Sequence, residues 1–397
     1  MRVSPFGTIT SVPGFLAGAT CCGIKKTHEL DLALLYSEEP CVAAALFTRN
    51  RIQSAPVQLS RQRLRRARAR AIVANSGCAN ACVGKQGIWD ATEMTRIAAE
   101  NLAVPSEEVL VAGTGVIGAR LPLERIHEGL KSMVPDEHGG HAFAQAIMTT
   151  DTVPKEAATT VDLGTARVTI GGVAKGSGMI HPDLATMLVF LCTDLRADAR
   201  FLRSALKRAV ANSFNLLSID GDTSPSDSVF LLANGIARNP RLDGYKRLVF
   251  EEALTGLCQQ LADSIARDGE GATKAIKVMV EGASNQRQAR QATRTIVSSP
   301  LVKAALHGND PNWGRIVTAL GRSGVEVRED RLDVYLCNTC VMKEGQPVYF
   351  DPTDVRASLA VPEVLVRVYL NLGEGSAMAR GCDLSEEYVT INSSYTT

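Results

Sequence analysis

Three glycine-rich loops carry the residues whose types and spacing could do chemistry. In the first, Lys175-Gly-Ser-Gly-Met-Ile-His-Pro-Asp-Leu-Ala-Thr186, Gly176 and Gly178 admit backbone angles closed to other residues. Pro182 stiffens the segment. Ala185 has almost no side chain, so its carbonyl is open to attack. Thr186 then opens a strongly apolar run, TMLVFLCTD. A threonine at the mouth of a buried strand, after a small residue, is how an N-terminal threonine nucleophile would be set up. An ordinary strand start has the same spacing, so spacing leaves both readings open. His181 would need an orienting carboxylate to serve as a base. Asp183 is close only in sequence, and a plain loop histidine fits as well.

The second loop, Val111-Ala-Gly-Thr-Gly-Val-Ile-Gly118, contains G-x-G-x-x-G at Gly113, Gly115 and Gly118. A dinucleotide site needs a helix opening directly at the glycines and a second strand ending in an acidic residue about 20 positions on. Here Ala119-Arg-Leu-Pro122 intervenes, and Asp136 and Glu137 follow a helical pattern and a proline. The better fit is a tight turn whose N–H groups and Thr114 hydroxyl point at an anion or oxyanion. The third loop, Ala266 to Lys274, presents Glu270 between Gly269 and Gly271. It reads either as a helix stop or as a carboxylate offered to a substrate ammonium.

The elements that must position these loops alternate between strand and helix. Residues 41–47, 71–75 and 107–112 read as strands, and 88–102 and 121–134 as helices, the latter with Pro122 near its first turn. Residues 158–174 alternate as a hairpin. The run 186–194 is a buried strand. A helix over 198–214 starts at the N-cap Asp198, and a second long helix covers 243–267. A strand at 275–281, a helix near 285–306, and strands at 333–341 and 364–371 complete the pattern. The mixture predicts an α/β or α+β layered architecture.

The chain has 397 residues, enough for two or three packed units. A formal net charge of +1 gives no global field to draw in nucleic acid or an acidic membrane. The basic run Arg61–Arg70 reads as the solvated face of a helix. No stretch of about 18 apolar residues suggests a membrane span, and the start lacks the apolar region of a signal peptide. Ten cysteines without a secretory signal read as reduced cytoplasmic thiols. Cys337 and Cys340 form a CxxC with no matching ligand pair, so they read as strand residues and not as a zinc site.

Taken together, the loops resemble those of the ornithine acetyltransferases, also called glutamate N-acetyltransferases. The signature KGSGMIHPDLATML at 175–188 is the most specific segment. NSGCANACVG at 75–84, AGTGVIG at 112–118, MTTDTVPK at 148–155, SFNLLSIDGDTSPSD at 213–227, DGEGATK at 268–274, GNDPNWGRI at 308–316 and EYVTINSSYTT at the C-terminus support it. The resemblance covers nearly the whole chain. It departs at Cys78, where members more often carry Asn, and at Pro225-Ser226, where they more often carry Thr-Asn. These departures bear on substrate detail and not on the reaction class.

The resemblance implies a layered α-β-β-α sandwich that cuts itself between Ala185 and Thr186. The fragments would be residues 1–185 and 186–397, intertwined in one catalytic unit and paired as a heterotetramer. It implies Thr186 as nucleophile, Thr114 and Gly115 as oxyanion donors, and Thr149, Lys175, Thr186, Glu270, Asn392 and Thr397 as substrate contacts. Acetyl would pass from N-acetylornithine to Thr186 and then to glutamate. No metal or organic cofactor is implied, and acetyl-CoA enters only as a co-substrate of bifunctional members. A self-processing amidohydrolase or aminopeptidase of the same fold, in which water takes the acyl group, is the alternative.

Overall fold

The computed structural model describes residues 2–4, 7–164, 166–181 and 187–394. In chain order its strands are β1 (Arg2–Ser4), β2 (Phe15–Thr20), β3 (Leu32–Phe47), β4 (Arg68–Asn75), β5 (Val109–Gly113), β6 (Lys155–Asp162), β7 (Arg167–Lys175), β8 (Leu188–Thr193), β9 (Leu217–Ser218), β10 (Ser228–Ala233), β11 (Ala275–Ala283), β12 (Asp333–Leu336), β13 (Thr339–Lys343), β14 (Gln346–Pro347), β15 (Glu363–Tyr369) and β16 (Gly375–Cys382). Its helices are α1 (Ala55–Arg63), α2 (Gly84–Leu102), α3 (Leu123–Ser132), α4 (Gly140–Ala146), α5 (Ala199–Ala211), α6 (Gly244–Arg267), α7 (Gln286–Val297), α8 (Pro300–His307), α9 (Trp313–Gly321), α10 (Pro352–Leu359) and α11 (Glu386–Ser394).

The larger sheet runs β1-β6-β7-β8-β10-β3-β4-β5, with β2 also on β3. β3 is the strand on which this sheet folds over. One of its edges pairs with β2 through Leu32–Ser37 and with β10 through Val42–Phe47. Its other edge pairs with β4, with a register break between Tyr36 and Cys41 where Pro40 supplies no N–H.

Alternation along the strands then produces layers, because successive side chains point to opposite faces. On β8, Val189 and Leu191 pack with Leu202 and Leu206 of α5 and Leu257 and Leu261 of α6. Leu188, Phe190 and Cys192 face the opposite way and join Leu35, Ile72 and Phe143 in a middle layer. There Phe190 stacks on Phe230 with ring centroids 5.6 Å apart, and Phe143 meets Phe190 edge-on at 5.0 Å. On β4, Ile72 and Ala74 face that middle layer, while Ala71 and Val73 pack with Met94 and Ala98 of α2 and Ile126 and Leu130 of α3. Helix, strand, strand, helix is the layered sandwich that the resemblance implies.

The smaller sheet runs β14-β13-β12-β15-β11-β16-β9 and packs helices α7 to α10 over Val278, Val280, Val334 and Val366. α6 serves both sheets. Its apolar face lies in the α5 layer, while its Asp263 accepts from Arg380 of β16 at 2.5 Å. Asp198 caps α5 as its sequence predicts, accepting the Phe201 N–H at 2.9 Å.

Three local expectations change. The helix near 285–306 is two helices, broken at Ser298-Ser299 before Pro300. The strand at 333–341 is a hairpin, turning at Cys337 with φ of 52°. The basic run is not one helical face: α1 ends at Arg63, a short 3-10 turn follows over Leu64–Arg66, and Arg68 and Arg70 lie on β4.

Phe190 is fully buried in the middle layer against Phe230 of β10 and Phe143 of α4, so Phe190→Ala should lower stability by about 3–5 kcal/mol. A thermal melt followed by circular dichroism checks this, and an unchanged midpoint would contradict the role assigned to the middle layer.

Candidate active site

The candidate site lies where β7 ends and β8 and β10 begin. Register brings Lys175, Leu188, Ser228 and Phe47 into one row across four strands. Lys175 is fully within the protein, and its ammonium donates to Thr149 Oγ1 at 2.6 Å. Asp151 Oδ2 lies 3.8 Å from it. The same Asp151 accepts the Gly176 N–H at 2.6 Å and the Thr149 N–H at 3.0 Å. Its Oδ1 also holds Lys155 at 2.6 Å, and Lys155 in turn reaches Asp268 at 2.5 Å. Acid and base therefore alternate along one buried chain, Asp268–Lys155–Asp151–Lys175. Burial alone would raise the Asp151 carboxyl, but Lys175 and Lys155 outweigh it and hold the group at about 2. Burial lowers the Lys175 ammonium, with Asp151 opposing.

The loop after β5 supplies the second wall. Thr114 donates its N–H to Asn75 O at 3.1 Å, Val116 N–H to Gly77 O at 3.3 Å, and Ala79 N–H to Val116 O at 3.0 Å. The segments 75–84 and 112–118 are thus zipped together. Gly115 has φ of 120°, and a Cβ there would stand 2.4 Å from Gly77 C. Only glycine fits such a close crossing. Among the described residues, nothing bonds the Thr114 hydroxyl or the Gly115 N–H, and both residues line the cavity that Lys175 also lines.

The third wall is the loop after α6. Glu270 donates its N–H to Ser177 O at 2.8 Å, and its carboxylate lies against Gly178, where a Cβ would meet Oε2 at 2.3 Å. Asn392 of α11 donates to Glu270 Oε2 at 2.8 Å. The C-terminal helix thus folds back onto the site. Asp383, just before α11, anchors it by accepting from the Thr273 and Lys274 N–H groups at 2.8 and 2.9 Å.

Thr114, Gly115, Thr149, Lys175, Glu270 and Asn392 therefore converge on one cavity. Ala185, Thr186 and Thr397 lie outside the described residues. His181 stands 3.2 Å from Ser218 Oγ. The departures from the family pattern fall at the site itself: Pro225 and Ser226 line the cavity, and Cys78 lies beneath the Thr114 loop with its thiol on Ala119 O.

Sequence reasoning missed the supporting charges. Asp151, Lys155 and Asp268 stand inside motifs quoted above, but their pairing spans as many as 113 positions. Asp220 was missed as well; it accepts the Ile180 N–H at 2.9 Å and so holds the loop upstream of residue 182.

Comparison with known proteins follows the same lines. A family model described as the ArgJ family matches residues 16–397. The arginine biosynthesis bifunctional protein ArgJ of Dehalococcoides mccartyi is 50% identical over 399 residues, covering 100% of this chain and 98% of that protein. The protein of the same name from Symbiobacterium thermophilum is 48% identical, covering 98% and 99%. A crystal structure of the ArgJ protein of Bacillus halodurans matches with a TM-score of 0.50 and 40% identity, covering 51% of this chain and 96% of that one.

Replacing Asp151 tests the buried charge chain. Its folded carboxyl lies below the unfolded value of about 3.9, so the stability it contributes is complete above about pH 4 and is lost as pH falls through about 2. Asp151→Asn leaves Lys175 without its counter-charge and should cost about 3–5 kcal/mol at neutral pH. The gap between wild-type and variant melting temperatures should close toward pH 2; a gap independent of pH would contradict the assignment.

Proposed function

This chain belongs to the ArgJ family, and from that premise we propose that it moves an acetyl group from N-acetylornithine to glutamate by way of Thr186. The observation that carries this reading is the convergence of Thr114, Gly115, Thr149, Lys175, Glu270 and Asn392 on the end of the strand that Thr186 precedes.

The chain first cuts itself between Ala185 and Thr186. The new α-amino group of Thr186 has a reference pKa of about 7.7–8.0, so near neutrality it can take the proton from its own hydroxyl. No histidine is needed. The activated oxygen attacks the acetyl carbonyl of N-acetylornithine, and ornithine departs. Glutamate then attacks the acetyl-Thr186 ester and leaves as N-acetylglutamate.

Each wall of the cavity has a part in this. The Thr114 hydroxyl and Gly115 N–H stabilise the oxyanion of both tetrahedral intermediates. Lys175 takes the amino-acid carboxylate. Glu270, steadied by Asn392, takes the ammonium or amide N–H, with Thr149 and Thr397 completing the contacts. No metal or organic cofactor takes part. Acetyl-CoA is a second donor, in line with the word bifunctional in the names of the relatives. The match of about half of this chain to nearly all of the solved Bacillus halodurans chain supports fragments 1–185 and 186–397, which we assign to a cytoplasmic heterotetramer.

A denaturing gel of purified protein should show two fragments, and Thr186→Ala a single full-length band. Active wild-type protein running as one band would refute the nucleophile. With labelled glutamate and N-acetylornithine, label should appear in N-acetylglutamate. Release of acetate alone would favour a hydrolase. Thr114→Val should lower kcat by about 10²–10³ in a steady-state assay while the chain stays folded.

A further inference from the structure

The proposed cut before Thr186 makes a chemical demand of its own. Until the bond breaks, Thr186 has no free amino group, so the base that serves acetyl transfer does not yet exist. The hydroxyl proton must go elsewhere and must end on the departing nitrogen.

Asp227 is placed to meet that demand. It precedes β10 and is 1% exposed. Parallel pairing sets Ser228 level with Leu188, and hence Asp227 level with Met187. Asp227 Oδ1 accepts the Met187 N–H at 3.1 Å, and the Ser228 N–H donates to Met187 O at 3.1 Å. The Asp227 carbonyl is itself held by the Thr48 N–H at 3.0 Å. The Met187 nitrogen closes the peptide group of Thr186. Covalent structure therefore puts the Thr186 nitrogen about three bonds from it and the hydroxyl oxygen about four.

The other carboxyl oxygen, Asp227 Oδ2, is buried, and among the described residues no group is placed to hydrogen-bond it with normal geometry. Buried acceptors are rarely left this way, because the loss of water is not made good. Lys175 of β7 is the charged group facing this carboxyl, and the Ser224 backbone and Thr48 hydroxyl beside it also favour its charged form. Burial pushes the carboxyl well above its usual range, against the pull of the Met187 amide and Lys175. Its carboxylate is correspondingly a stronger base.

We propose that Asp227 carries the proton in the self-cleavage step. Asp227 Oδ2 takes the Thr186 hydroxyl proton as that oxygen bonds to the Ala185 carbonyl carbon. It returns the proton to the Thr186 nitrogen as the bond between that carbon and nitrogen breaks. Water then hydrolyses the ester, leaving a carboxylate on Ala185 and a free hydroxyl and amino group on Thr186. Asp227 ends as it began, and nothing is oxidised or reduced.

The test rests on the cut itself, so wild-type chain is run beside each variant. Asp227→Asn keeps an oxygen for the Met187 N–H but cannot carry the proton, while Asp227→Glu keeps the carboxyl. The asparagine variant should melt cooperatively and cut about 10²–10⁴ times more slowly, with part of the rate restored by glutamate. A folded Asp227→Asn chain cutting at the wild-type rate overturns the proposal. If that variant does not fold, the wild-type chain made by cell-free synthesis decides. Its cutting rate should rise about tenfold per pH unit through the acid range and then level off. A rate that is flat from about pH 5 to 8 overturns the proposal. A wild-type chain that never cuts removes the underlying reading instead.

Discussion

Two acids and two lysines, alternating inside the protein, set the position of nearly everything that faces the cavity. Asp268 follows directly on α6 and begins the loop that carries Glu270. Lys155 opens β6, and Lys175 closes β7. Asp151 joins the two lysines and also holds the Gly176 N–H. In a low-dielectric interior these charges are tolerable only while each stays beside its neighbour. The chain therefore fixes the distance between the Glu270 loop, the start of the 176–186 loop and the Lys175 ammonium in one arrangement.

The opposite wall depends on a different constraint, the thickness of the apolar middle layer. The Thr114 loop leaves β5 in one half of the folded sheet, whereas β8 lies in the other half. Phe143, Phe190 and Phe230 fill the space between the halves. Side chains remote from the cavity thus decide how far the oxyanion donors stand from the start of β8. The close crossing at Gly115 makes the loop itself stiff, so it follows the layer beneath it.

Much of this was legible in sequence because it is local. The N-cap at Asp198, the apolar periodicity of α5 and α6, and the glycine spacing of three loops are each written within a few residues. The first half of β3 was missed because the polar Glu38-Glu39-Pro40 bounds the apolar run 41–47, although β2, β4 and β10 cover that strand on both edges. β10 is a uniformly apolar run without periodicity, and its pairing with β8 crosses a long connection. The hairpin at Cys337 was read as one strand because a positive φ at a cysteine has no sequence signal. Within the site, the residues that face the cavity were found through the family motifs, whereas the acids behind them were not. Pairs such as Lys155 with Asp268 exist only once the chain is folded.

The position of β8 has one more consequence. Its neighbours β7 and β10 come from opposite sides of the Ala185–Thr186 bond, and β3 and β10 likewise join residues from both sides. A chain cut there stays together through its ladders and its middle layer, with no separate interface. Unfolding such a pair turns one molecule into two. Recovery then becomes a second-order encounter between fragments that each expose raw strand edges, in competition with aggregation. The mature enzyme would thus owe its persistence to a slow rate of opening, having folded once as a single chain and lost the return path.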